Sequence, residues 1–139
     1  MGRPTSFRFS DDLQRRLDEA AATAGLSVTA LVTTLLDEGL KVRRFPGVAF
    51  RDGPAGRRPG LVGGPDVWEV IRDVRAAGGR GEARIRRVAA ATGLSEPRVR
   101  LAVDYYAAFP AEIDARLDAD ERAATELREA VDRRERLTG

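Results

Sequence analysis

Along most of this chain apolar residues recur at helical spacing, and the breaks in that pattern divide it into elements. Leu13, Leu17, Ala20, Ala21 and Ala24 form one stripe, which predicts a helix from Asp11 to Ala24. Ser10 can cap it, its first turn is acidic as the helix dipole favours, and Gly25 can end it in a left-handed conformation. Ser27 then caps a second helix, Val28 to Lys41, with Val28, Leu31, Val32, Leu35, Leu36 and Leu40 on one side. Phe45-Pro46-Gly47 ends the pattern. Val48 to Arg51 reads as a short strand and Asp52 to Gly56 as its turn. Arg57 to Val62 reads as an interrupted return strand, with Pro59 marking an edge. A helix starting at Asp66 carries Val67, Ile71 and Val74 and runs to Ala77. Ala83 to Thr92 follows with Ile85, Val88 and Ala89 inward, then a tight turn at Gly93. Ser95 to Phe109 comes next with Val99, Ala102, Val103 and Tyr106 inward. Pro110, tolerated in a first turn, opens a last helix reaching Leu137. Its stripe is thin (Ile113, Leu117, Ala124, Leu127, Val131), so its end is expected to fray beyond Ala124.

Ahead of the first helix the period changes from helical to two. Phe7 and Phe9 would share one face of a strand, with Ser6 and Arg8 on the other. So short a strand cannot bury two rings alone. A second copy would complete an antiparallel ribbon whose polar face fits the major groove of DNA. This alternation, Ser10, the Leu13/Leu17 pair and Gly25-Leu26-Ser27-Val28-Thr29 together resemble the ribbon-helix-helix (CopG/Arc-like) family of DNA-binding proteins. The resemblance implies an intertwined homodimer with Phe7, Phe9, Leu13, Leu17, Leu31 and Leu35 in its core. About forty residues are in any case few for a stable core. Ser6 and Arg8 would contact bases, and Arg8 can pair guanine in bidentate fashion. Arg3 and the Ser27, Val28 and Thr29 group at a helix start would hold phosphates.

Composition narrows the chemistry. The 139 residues contain no Cys and no His, which removes thiol catalysis, disulfides, the commonest general base and the usual transition-metal ligands. No cofactor and no metal is therefore expected, and no carboxylate pair sits on a recognisable catalytic scaffold, so an enzyme is not the expected reading. The glycines around Gly60 lack the Lys-Ser/Thr of a phosphate loop, and Gly78-Gly79-Arg80-Gly81 lacks the third glycine of a dinucleotide fingerprint. Both read as turns. Neither a signal peptide nor a membrane span is visible, which fits a cytoplasmic protein. The net charge is +2, unevenly spread. Residues 45–110 carry eleven basic against seven acidic side chains, and residues 111–139 six against nine. The preference for Arg over Lys reads as codon bias and carries no argument alone. Trp68, the only Trp, is expected in the core.

The second half adds a further resemblance. Arg57-Arg58-Pro59-Gly60-Leu61, Pro65-Asp66-Val67-Trp68, Gly93-Leu94-Ser95-Glu96-Pro97-Arg98-Val99, Tyr105-Tyr106 and Pro110 to Asp114 look like a small helix-turn-helix-type domain common in antitoxins. The stretch Gly78 to Glu82 departs from that pattern. Both halves together resemble a VapB-like antitoxin. The expected fold is mainly α: a ribbon-helix-helix over 1–44, a Gly/Pro-rich linker and β-hairpin over 45–65, a helix-turn-helix-like domain over 66–120, and a helical tail over 121–139. The resemblance implies a protein that binds operator DNA as a dimer, represses its own operon and neutralises a PIN-like ribonuclease toxin. Such nucleases gather carboxylates for metal ions, and an arginine placed among them would compete with the metal. Arg122, Leu127, Arg128, Val131, Arg133 and Arg134 are the tail residues expected at that contact, against the simpler reading of exposed ion pairs within the helix. An alternative is a stand-alone ribbon-helix-helix regulator reading a second DNA segment through Arg98 and Arg100. A chaperone-like or partition adaptor is a further alternative.

Overall fold

The computed structural model describes residues 2–139, which form two compact units, Met1–Arg44 and Phe45–Gly139. The first contains two helices, α1 (Asp11–Ala24) and α2 (Val28–Arg44). Ser10 accepts from the Leu13 N–H at 3.2 Å and so caps α1. Gly25 ends it at φ 67°, and its own N–H and that of Leu26 return to the carbonyls of Ala22 and Ala21, which satisfies groups a helix end leaves open. Leu17 and Ala21 are the buried apolar side chains of this unit.

Residues 2–10 form no strand, and all are exposed. The chain opens on two helices, and the strands among the described residues pair only in an internal hairpin. The ribbon-helix-helix reading is therefore overturned, and with it the fold class and the DNA-reading ribbon built on it. The period-two signal at Phe7 and Phe9 is present in the sequence. A strand, however, is defined by its paired backbone groups, and among the described residues this segment pairs with no other. Phe7 remains 70% exposed.

The second unit begins with β1 (Val48–Arg51) and β2 (Arg58–Leu61), antiparallel with Val48 opposite Leu61 and Phe50 opposite Pro59. Val48, Pro59, Gly60 and Leu61 are buried, so the two strands contribute to the core of this unit. Four helices follow: α3 (Val67–Ala76), α4 (Gly81–Thr92), α5 (Glu96–Ala108) and α6 (Pro110–Thr138). The stretch Gly78 to Glu82 becomes the α3–α4 turn and the start of α4. Helix α5 is central and packs on α3, α4 and α6. Val99, Ala102 and Tyr105 are fully buried on it, with Val67, Val70, Val88 and Ile113 around them. Tyr105 rather than Tyr106 is the inward ring. It packs edge-on against Phe45 at 5.5 Å and tilted against Phe109 at 5.2 Å, separations at which aromatic pairs attract.

This packing also corrects the helix-turn-helix reading. Gly93 does turn the chain in a left-handed conformation (φ 76°) between α4 and α5. A recognition helix, however, must present its face to a groove, and α5 is the central packing helix of its unit. The VapB-like resemblance rested on both motifs and loses its structural basis with them.

Candidate functional site

Two surfaces carry residues expected to function. On the first unit, the segment before α1 places Arg3, Ser6 and Arg8 in solvent, with no ribbon face to align Ser6 and Arg8. Ser27 caps α2, its hydroxyl accepting from Ala30 N–H at 3.1 Å and its carbonyl from Leu31 N–H at 3.0 Å. The N–H groups of Val28 and Thr29 stand at the helix start, where no intrahelical acceptor exists. Of the six residues expected in the core of a dimer, Leu17 is the one buried within the single chain. Leu31 is half-buried, and Phe7, Phe9, Leu13 and Leu35 are exposed. Leu26, Val28, Leu36 and Leu40 are also exposed, so eight large apolar side chains of this unit stand in solvent.

The second surface is the end of α6. Ile113 and Leu117 anchor the helix in the core, whereas every residue from 121 to 139 is exposed. The helix is nevertheless continuous to Thr138, so the expected fraying point at Ala124 is not a break in it. Residues 121–138 project over about 27 Å at the helical rise. At about 100° per residue, Leu127, Val131 and Arg134 share one face with Ala123, Ala124 and Ala130, and Arg128 flanks it. Arg122 and Arg133 fall on the other side of the helix. Arg128 also donates to Thr125 Oγ1 at 3.2 Å, and Arg133 lies 3.8 Å from Glu129 one turn earlier. The six residues expected to act together are thus divided between two faces.

Arg98 and Arg100 are both engaged inside their unit. Arg98 donates to the Val62 carbonyl, and the missing side chain of Gly64 leaves room for its guanidinium, 2.7 Å from where a Cβ would lie. Arg100 pairs with Glu82 and, at 3.4 Å, with Glu96. Its hydrogen bond to Glu82 raises the arginine pKa and lowers that of the glutamate. These contacts join α5 to the β2–α3 connection and to α4, and they do not favour a second DNA reader.

Sequence reasoning missed the polar cluster that organises the hairpin. The buried Asp66 faces Arg51 Nη2 at 3.0 Å and Arg58 Nε at 2.5 Å, and its Oδ2 accepts from the Trp68 indole N–H at 3.3 Å. Its backbone N–H donates to Glu69 Oε2 at 2.8 Å. The available signal was an acidic cap beside two arginines at matched strand positions, Arg51 opposite Arg58, but register cannot be read from residue types alone. A second network joins three helices: Arg75 donates to Tyr106 Oη and Asp114 Oδ1, both at 2.8 Å, and Tyr106 donates to the same carboxylate at 2.8 Å. The hydrogen bond that Arg75 donates to Asp114 raises the Arg75 pKa, against a smaller opposing effect of desolvation.

Comparison with protein-family models, curated proteins and solved structures gives no match. Among the described residues no three His, Cys, Asp or Glu side chains gather as a metal-holding group, and no single helix is long and apolar enough to cross a membrane.

Proposed function

We propose that this chain is a protein-neutralising partner of the antitoxin kind, acting in the cytoplasm: it self-associates through its first unit and seats the end of α6 on a PIN-like ribonuclease. The observation that carries this reading is the α6 arm, a helix extending past its own core with Leu127, Val131 and Arg134 on one exposed face. Such a stripe gains nothing in the isolated chain. On a partner it supplies two aliphatic anchors beside a cation, the chemistry of helix-in-groove recognition. An arginine delivered to a carboxylate cluster would pair with it in bidentate fashion and compete with a metal. Self-association is supported by the exposed apolar residues of α1 and α2 and by the two buried ones, too few to hold a helical pair. Operator contact and autorepression belong to the same proposal. Without a ribbon, the groups offered are Arg3, Arg8 and the start of α2, which suit phosphates.

The test is co-expression with the product of the adjacent gene, with a tag on one partner only. The full chain is expected to co-purify with a nuclease and suppress its activity, and a chain ending at residue 120 is expected to do neither. Equal capture and suppression by the shortened chain would remove the arm from the interface and defeat the reading.

A further inference from the structure

We infer that the second unit holds a binding site for a carboxylate carried on a small apolar body, in the cavity between the hairpin turn and the first turns of α6. The cavity encloses about 270 Å³ and is lined by Pro54, Pro59, Trp68, Ile113 and Ala119, with Arg116 as a cation that has no ion-pair partner among the described residues. Arg116 lies over the Trp68 ring, its guanidinium carbon 5.2 Å from the centroid. Its Nε is buried and has no hydrogen-bond partner among the described residues. That N–H is covered by protein, so a ligand in the cavity would meet the other N–H groups of the guanidinium, which suit a planar, two-oxygen anion.

The charge around the cavity selects the anion. Arg57 and Arg58 also line it, but Arg57 is paired with Asp52 and Arg58 with Asp66. Glu112 lines it as well and accepts from the Tyr105 hydroxyl. Because Arg51 shares Asp66 with Arg58, four guanidiniums (Arg51, Arg57, Arg58 and Arg116) face three carboxylates (Asp52, Asp66 and Glu112), which leaves one positive charge to be balanced. A carboxylate fits that balance and a dianionic phosphate does not. The apolar walls then select the body: an aryl or short alkyl group against Trp68, Pro54 and Pro59. The ring itself is held by its N–H on Asp66, so the wall exists before a ligand arrives. Such a carboxylate has two sources, a free small acid or the C-terminal end of a polypeptide.

Because Trp68 is the only Trp, its emission reports on the cavity directly. The full chain would be titrated at constant ionic strength with 3-phenylpropionate, with its carboxamide, with inorganic phosphate, and with a short peptide ending in Phe as free acid or amide. The expected result is a saturable change with 3-phenylpropionate, half-complete at about 1–10 mM for so small a probe, and none with the carboxamide or phosphate. Arg116→Gln is expected to weaken it about tenfold or more, and Ala119→Phe, which fills the cavity and leaves the charges in place, to abolish it. Circular dichroism verifies that both variants fold. Tighter binding of the free-acid peptide than of 3-phenylpropionate would assign the source as a chain end, and the reverse a small acid. No saturable change with either acid at about 20 mM, an equal response to the amides, stronger binding of phosphate, or undiminished binding by folded Arg116→Gln would overturn the site.

Discussion

Gly60 lies directly beneath the guanidinium of Arg51: a Cβ at position 60 would stand 1.7 Å from Arg51 Nη2. The bare backbone of β2 is what lets Arg51 cross the hairpin, donate to the Gly64 carbonyl at 2.8 Å and reach the Asp66 carboxylate. The contact with Asp66 is an ion pair without hydrogen-bond alignment, so its contribution is Coulombic. Gly60→Ala is expected to push Arg51 away and destabilise the second unit by about 1–3 kcal/mol. That is less than the loss of a fully buried pair, because Arg51 keeps about a third of its surface wet. In an Arg51→Ala background the same substitution should cost little. Urea unfolding of the four proteins measures the coupling. Additive losses would show that Gly60 matters for some reason other than Arg51.

The Glu82–Arg100 pair makes a pH-dependent contribution of known sign. Hydrogen bonding from Arg100, aided by the charges of Arg100 and Arg86 and opposed by desolvation, lowers the Glu82 pKa. A carboxyl lowered on folding stabilises the fold above its unfolded pKa, about 4.3, and that contribution disappears as pH falls through the folded value. Glu82→Gln is therefore expected to be less stable than the parent at pH 7, with the difference shrinking as the solution is acidified below about pH 4. Arg100 adds nothing in that window, since its own shift lies at the alkaline end. Denaturant melts of both proteins from pH 7 to 3 provide the measurement, and a constant difference would contradict the assignment.

Helix starts and stops were readable because they rest on local chemistry. Ser10, Gly25, Ser95 and Gly93 perform the capping their residue types predict. The hairpin at Val48–Arg51 and Arg58–Leu61 was also visible, from its turn residues. What local pattern could not supply was partnership. Phe7-Arg8-Phe9 alternates as a strand would, yet nothing in a sequence states whether a pairing backbone is present. Arg98 and Arg100 sit where a reading helix would carry them, but whether they face a groove or Val62 and Glu82 depends on contacts 36 and 18 residues away in the chain. Arg116 was passed over for the same reason. Its position beside Trp68 joins the start of α3 to α6, a distance in sequence that no stripe or motif spans.

The exposed apolar residues of the first unit lead to a prediction about association. Leu35 is 54% exposed on α2, and burying a leucine fully contributes roughly 1.5–3 kcal/mol. Leu35→Asp is expected to weaken self-association about tenfold or more, as read by sedimentation velocity over a dilution series. Trp68 belongs to the other unit, so its emission should not change. A parent protein that stays monomeric at high concentration would show that these side chains serve no second copy.

The α6 helix has two parts that one deletion series can separate. None of residues 121–139 is buried, so ending the chain at 120 should change stability by no more than about 0.5 kcal/mol. Ending it at 110 also removes Ile113 and Leu117, both buried, and each such loss costs about 2–5 kcal/mol. That shorter chain should unfold, with Trp68 emission shifted to the red, so a lost interaction in it would say nothing about an interface. Within the arm, Arg134→Glu lies on the Leu127/Val131 face and is expected to lower partner affinity about tenfold or more. Arg122→Glu, on the other side, should have little effect. Titration of the purified partner against each charge-reversed chain decides between a single seating face and a diffuse electrostatic attraction, because attraction by net charge alone would weaken equally in both.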